Sequence, residues 1–151
     1  MMKDIFLKKD STEIINRIND LKTDSTAVWG SMSVAQMLAH CSVTYEMVYD
    51  NIHPKPNGLM RFILKSFIKN GVVNEKPYPR NSRTAPQFIV KGDRDFELEK
   101  NRLISYILQT QELGEKEFEG KESLSFGKLT AKEWNNMFAK HLDHHLTQFG
   151  V

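Results

Sequence analysis

Residues 33–50 predict a helix that is apolar around most of its circumference, and this segment limits the folds open to the chain. Ser33 and Gln36 have the spacing of a capping box, which marks a helix start. The predicted outward strip holds only Ala35, Ala39, Ser42, Glu46 and Asp50. A helix with so little polar surface needs other helices packed around it. We therefore expect it to lie inside an all-α bundle.

Three further segments have helical periodicity, at residues 10–22, 93–113 and 130–149. Their boundary signals are Asp10 with Glu13, Gly114 as a C-cap, and Thr130 with Glu133. With the segment at 33–50, they predict four main helices. A chain of 151 residues is long enough to bury a core as one domain.

Two connections join these helices. The longer one, residues 51–92, contains a shorter helical piece at about 59–69 that Asn70 and Gly71 close, and the rest is rich in loop-forming residues. We interpret residues 115–129 as a plain connection with no strand. The sequence thus predicts a single domain over residues 1–151, a four-helix bundle with one long crossover between helices 2 and 3.

Composition excludes several classes of protein. The net charge is +2, so overall charge gives no argument for nucleic acid as a partner. No stretch approaches the roughly 18 apolar residues of a membrane span, and the run Ile5–Leu7 is too short for a signal-peptide core. The lone Cys41 fits a reducing compartment and is interpreted as a buried packing residue. The expected location is cytoplasmic, with no membrane partner.

Two histidines of the last helix, His141 and His145, lie in the middle of its apolar face. They are four residues apart, so both imidazoles can reach one metal ion. His144 falls at the edge of this face, while Asn136, Lys140, Asp143 and Thr147 are predicted to point away. The alternative is a pair of core histidines that hydrogen bond to carbonyls or hydroxyls, with Thr44 or Tyr45 as partners.

His40 is the natural third ligand. It lies within the wide buried arc of the second helix, although it is off the centre of the apolar stripe. His53 stands beside Pro54 in loop sequence and is a poor candidate. The residues alone leave open whether the three histidines hold a metal or only hydrogen bonds.

Two stretches of sequence resemble a known superfamily. Residues 29–41, from Trp29 to Cys41, are similar to the start of the second helix in the DinB/YfiT-like metalloenzyme superfamily. Residues 126–130, Glu133 with Trp134, and residues 140–151 are similar to the C-terminal signature of one of its branches. The resemblance implies an up-down-down-up four-helix bundle. It also implies a divalent metal bound by His40, His141 and His145.

The resemblance suggests what such a site does, because superfamily members include thiol-dependent transferases and isomerases. We expect a metal-dependent transferase or hydrolase that acts on a small molecule, with zinc, nickel, iron or manganese as the metal. No general base is evident, so no catalytic residue is assigned. The alternative is a non-catalytic bundle, either a small-ligand binder or a dimerising stress protein.

The connection at 51–92 has a strong charge bias, with eight Lys and Arg residues against Glu75 alone. One interpretation is that Arg80 or Arg83 recognises an anionic substrate or thiol cofactor. The other is a solvated face, or docking onto the acidic third helix. We also consider a homodimer that pairs through Phe62 and its apolar neighbours in this connection.

Overall fold

A computed structural model describes residues 2–151. Its elements follow the order α1 (Lys8–Asp20), α2 (Val34–Tyr49), α3 (Gly58–Ile63), a π turn (Leu64–Ile68), α4 (Lys69–Val73), a 3₁₀ turn (Pro86–Phe88), α5 (Phe96–Phe118), β1 (Glu122–Ser123), β2 (Gly127–Lys128) and α6 (Ala131–Gln148). The protein is mostly helical, which confirms the fold class at that level. Among residues 2–151, no helix is both long and apolar enough to cross a membrane.

Helix α2 is buried along most of its length, as its narrow polar strip predicts. The Ser33 side chain accepts the Gln36 backbone N–H and the Gln36 side chain accepts the Ser33 N–H, which confirms the capping box. Helices α5 and α6 both pack against α2, and α1 packs against the same two helices. Helix α2 is therefore enclosed by the elements that follow it.

A cluster of aromatic rings holds α6 against α2 and α5. The ring of Tyr45 on α2 stacks on Phe138 of α6, with centroids 4.7 Å apart. Phe118, at the end of α5, lies 5.6 Å from Trp134 and 5.8 Å from Phe138. Burial of each such side chain stabilises the fold by about 1.5–3 kcal/mol. The cluster fixes the position of the helix turn that follows Phe138, and that turn carries His141.

Residues 58–73, here called the crossover helix, comprise α3, the π turn and α4. The predicted end at Asn70 and Gly71 is wrong, because the helix continues to Val73. Lys140 donates to the carbonyl oxygens of Gly71 and Asn74, and Asn136 donates to that of Val73. Lys140 and Asn136 are therefore buried, and the prediction that they point away is wrong. The crossover helix covers the part of α6 around Asn136 and Lys140, which the helical wheel assigned to solvent.

Other boundaries differ for local reasons. Helix α1 begins at Lys8, before Asp10, and the Asp10 carboxylate accepts the Asp4 N–H, so the capping box predicted there is wrong. The backbone leaves helical geometry at Gly114 as predicted, but one more turn runs to Phe118. Residues 115–129 contain an antiparallel pair, β1 and β2, where a plain connection was predicted. Each strand has two residues, too few to produce an alternating pattern.

Candidate metal centre

His40 is buried on α2, and its ring is oriented by a backbone carbonyl. Its Nδ1 lies 2.8 Å from the carbonyl oxygen of Phe88, in the 3₁₀ turn. A carbonyl oxygen only accepts, so Nδ1 carries the proton and donates. The neutral ring then presents the lone pair of Nε2 on its other side, and that is the tautomer that binds metals.

His145 is oriented in the same way by a side-chain amide. Its Nδ1 lies 2.7 Å from Oε1 of Gln148, which is three residues along α6. The amide nitrogen of Gln148 donates to the Trp29 carbonyl oxygen at 2.6 Å, and this fixes which end of the amide faces His145. Because Oε1 only accepts, His145 donates from Nδ1 and leaves Nε2 as its free lone pair.

His141 contacts both a hydroxyl and another imidazole. Its Nδ1 is 3.0 Å from Oγ1 of Thr44, and its Nε2 is 2.9 Å from Nε2 of His40. A threonine hydroxyl can donate or accept, so Thr44 satisfies either tautomer of His141. With the proton on Nε2, His141 donates to His40. With the proton on Nδ1, it donates to Thr44 and its Nε2 is free.

The three rings converge. One ring nitrogen from each of His40, His141 and His145 lies within 4.8 Å of the other two. Ring centroids are 4.5–4.8 Å apart. Within residues 2–151, no carboxylate or thiolate joins this set. Three imidazole nitrogens, each with an oxygen partner behind it, form the donor set that zinc, nickel, copper or iron accepts, so these residues fit a divalent transition metal.

Electrostatics keep these rings neutral. Burial is the main cause of a lowered pKa at all three histidines. Repulsion from neighbouring imidazoles acts in the same direction on His141 and His145, and together these effects bring the pKa of His145 to about 3. Metal binding requires neutral imidazole, so all three side chains are in the protonation state that a metal would require at neutral pH.

Aromatic side chains surround the centre. The Phe88 ring lies 5.4 Å from the ring of His40 and 5.7 Å from that of His141, so the residue whose carbonyl orients His40 also covers it. The rings of Trp29 and Tyr78 both meet the edge of His144, which is next to His145 in sequence. His40 and His145 are buried and His141 is half-buried, so the centre lies beneath the protein surface.

The other sequence candidates lie away from the centre. Cys41 is buried beside Met37, and burial raises the pKa of its thiol, which confirms a packing residue. Asp143 is exposed and pairs with Arg17. Glu46 was predicted to point outward, but it is buried and binds His53.

Thr44 was predicted from the sequence as a hydrogen-bond partner, whereas Gln148 and Phe88 were not. The spacing of His145 and Gln148, three residues apart on one helix, is a signal that could have revealed the pair. Phe88 lies in a loop whose path depends on tertiary contacts, so its spacing carried no signal. Tyr45, the other predicted partner, stacks in the aromatic core instead.

Fold and site together define a mostly helical protein with three buried or half-buried histidines that could hold a metal ion. The chain belongs to the family described as "Protein of unknown function (DUF1569)", whose profile matches residues 5–150. No curated protein and no solved structure matches the chain.

Proposed function

We propose that the protein binds one divalent transition metal through Nε2 of His40, His141 and His145, and that it is a metal-dependent transferase or hydrolase for a small molecule. The observation that carries the proposal is the arrangement of the ring nitrogens. Each Nδ1 is bonded to an oxygen, from Phe88, Thr44 or Gln148. Only the opposite side of each ring is left to face the centre.

The DinB/YfiT-like resemblance supports the same site. It implies an up-down-down-up four-helix bundle in a single domain, and it places ligands at these three positions. Three protein ligands leave an open coordination position, which is typical of catalytic sites and not of structural ones. When bound, such a metal polarises a substrate carbonyl or lowers the pKa of a bound thiol or water.

The chain's own residues have separate roles in this proposal. Phe88 and Gln148 hold two imidazoles in the ligating tautomer, and Thr44 accepts the proton of the third. The ring of Phe88 excludes water beside His40 and His141, and a substrate would reach the open coordination position from the side that Phe88 leaves uncovered. No catalytic base is assigned, because Glu46 and Asp143 are engaged elsewhere.

A second function is favoured by one specific contact. The 2.9 Å approach of His141 Nε2 to His40 Nε2 satisfies both rings by a hydrogen bond without any metal. This is the pattern that a non-catalytic ligand-binding bundle would have. The two functions differ in whether the purified protein holds a metal.

Metal analysis of protein purified without a histidine tag separates them. We expect about one equivalent of a transition metal, and its loss in His141→Ala. Less than about a tenth of an equivalent, unrestored by dialysis against zinc, nickel or manganese, would refute the metal site. His53→Ala is the matched control, since it removes a histidine outside the centre.

A cobalt-substituted sample tests the open position. Cobalt absorption should change when a small thiol such as 2-mercaptoethanol is added, because an exogenous ligand then enters the coordination sphere. A spectrum that is insensitive to thiols, azide and cyanide alike would indicate a closed site. The protein would then be a metal-binding bundle without catalysis.

A further inference from the structure

The crossover helix carries large apolar side chains on its outer surface. Phe62 is 65% exposed and Phe67 is 75% exposed. Other exposed apolar residues of the same helix are Leu59, Met60, Ile63 and Ile68. Scattered exposed apolar residues are ordinary, but six within ten residues form a patch that indicates an interaction surface.

The π turn aligns this patch. The Lys69 N–H donates to the Leu64 carbonyl, five residues earlier. In a regular α-helix, residues five apart are separated by roughly 140° around the axis. In a π turn they lie about one turn apart. The insertion therefore brings Phe67 toward the face of Phe62, and so enlarges one apolar surface.

Ion pairs hold the helix with this surface outward. Arg61 pairs with Glu122, and Lys69 Nζ lies 2.7 Å from Oε1 of Glu133. Val73, near the end of the helix, is buried in the core. Cations on the inner side thus bind the body of the protein while Phe62 and its neighbours face away. The outward apolar face is consequently a fixed feature of the fold.

The charge of the segment that carries the patch favours an anionic partner. Residues 51–92 have eight Lys and Arg and one Glu, a net charge of +7, whereas the remaining residues have 13 basic and 18 acidic side chains, a net of −5. Residues 51–74 contain no carboxylate, and Lys55 and Lys65 are exposed there. A twofold contact with a second copy would place this patch against itself, with like charges opposed.

We propose that the crossover helix docks on an anionic lipid surface. Exposed apolar side chains of the helix insert into the acyl boundary, while neighbouring cations contact anionic headgroups. The expectation of no membrane partner was based on the lack of a spanning segment, and a helix that lies on the surface needs none. This docking is independent of the histidine centre.

Vesicle co-sedimentation of the full chain tests the proposal. The vesicles are phosphatidylcholine alone, or phosphatidylcholine with about 30 mol% phosphatidylglycerol. We expect binding to the anionic vesicles at least about tenfold tighter than to the neutral ones, weakened by high salt. Lys65→Gln should weaken it about fivefold.

Two double variants isolate the apolar contribution. Phe62→Ser with Phe67→Ser should reduce anionic vesicle binding at least about tenfold. Val28→Ser with Leu98→Ser, which removes two largely exposed apolar side chains elsewhere, should leave it unchanged. Circular dichroism checks that both variants fold, and His141→Ala should bind vesicles like the wild type.

Three results would overturn the proposal. One is no binding to anionic vesicles, and another is equal binding to neutral and anionic vesicles. The third is a concentration-dependent dimer in light scattering that the Phe62→Ser, Phe67→Ser variant abolishes, since a second copy would then occupy the patch.

Discussion

Replacement of Gln148 by Met is expected to weaken metal binding, although Gln148 is not one of the proposed metal ligands. Gln148 is 4% exposed and makes two hydrogen bonds, one from the His145 Nδ1–H and one to the Trp29 carbonyl. Methionine has a similar volume and shape but neither donates nor accepts strongly. The variant therefore removes the partner that selects the ligating tautomer of His145.

The magnitude follows from the two lost bonds. An oxygen partner behind a ligating histidine is worth about 10–100-fold in metal affinity, or about 1.4–2.7 kcal/mol. Each buried group left without a partner costs about 1–3 kcal/mol, so the loss of both partners in metal-free Gln148→Met should lower the unfolding free energy by roughly 2–6 kcal/mol. These are separate measurements, a chelator-competition titration with zinc and urea unfolding in EDTA.

A conservative variant separates orientation from stability. Gln148→Glu keeps an acceptor for the His145 Nδ1–H but no longer donates to the Trp29 carbonyl. We expect it to keep zinc affinity within a few-fold while losing stability. Gln109→Met, at an exposed position of α5, is the matched control and should change neither quantity. If Gln148→Met lowers stability but leaves zinc affinity at the wild-type value, Gln148 has no role in orienting the ligand.

Three further predictions test the same network. A Cβ on Gly30, at φ +83°, would lie 2.5 Å from the Gln148 amide nitrogen, whereas Gly92, at φ +73°, has open space. Gly30→Ala should therefore weaken zinc binding by several-fold more than Gly92→Ala, and equal effects would mean that backbone strain alone acts. Thr44→Val should weaken zinc binding about tenfold or more. Thr44→Ser should retain it, because its hydroxyl still accepts the hydrogen bond from His141 Nδ1–H. Equal zinc affinities of the two variants in a titration would contradict this role. Burial and mutual repulsion lower the histidine pKa values in the folded state. Below about pH 6.5 the unfolded chain therefore binds more protons than the folded protein, and the metal-free protein loses stability as the pH falls from there. Each histidine that stays neutral adds up to about 1.4 kcal/mol per pH unit to this loss of unfolding free energy. Urea unfolding in EDTA should therefore show a shallower pH dependence for His141→Gln than for the wild type. An unfolding free energy that does not change between pH 6.5 and 5 would show that the rings are already protonated in the folded state.

Local signals made much of the fold predictable. Both capping boxes, Ser33 with Gln36 and Thr130 with Glu133, depend on contacts within one helix turn, and the structure contains both. The pairing of His141 with His145 is also local, because helical spacing alone puts the two on one face. The encounter of His40 with them was expected on family resemblance more than on its wheel position.

The features that could not be predicted depend on the path of the crossover segment, residues 51–92. Lys140 has the sequence environment of an exposed residue, yet three oxygens of the crossover helix and the loop after it surround its ammonium. The Phe88 carbonyl faces His40 because residues 74–95 return across α2, and backbone position in a long loop leaves no side-chain pattern. Helical periodicity predicts which face of a helix is exposed only when no other part of the chain packs against that face.

The same network explains why the sequence could not choose between core histidines and metal ligands. Phe88 and Gln148 provide acceptors only, so His40 and His145 stay in one tautomer whether or not a metal is present. His141 alone can move its proton, because the Thr44 hydroxyl serves either ring state. Without metal, His141 donates to His40, and Nε2 of His145 keeps a free lone pair. With metal, one proton shifts across one imidazole and one hydroxyl rotates. The two interpretations therefore describe two tautomers of His141 in one site.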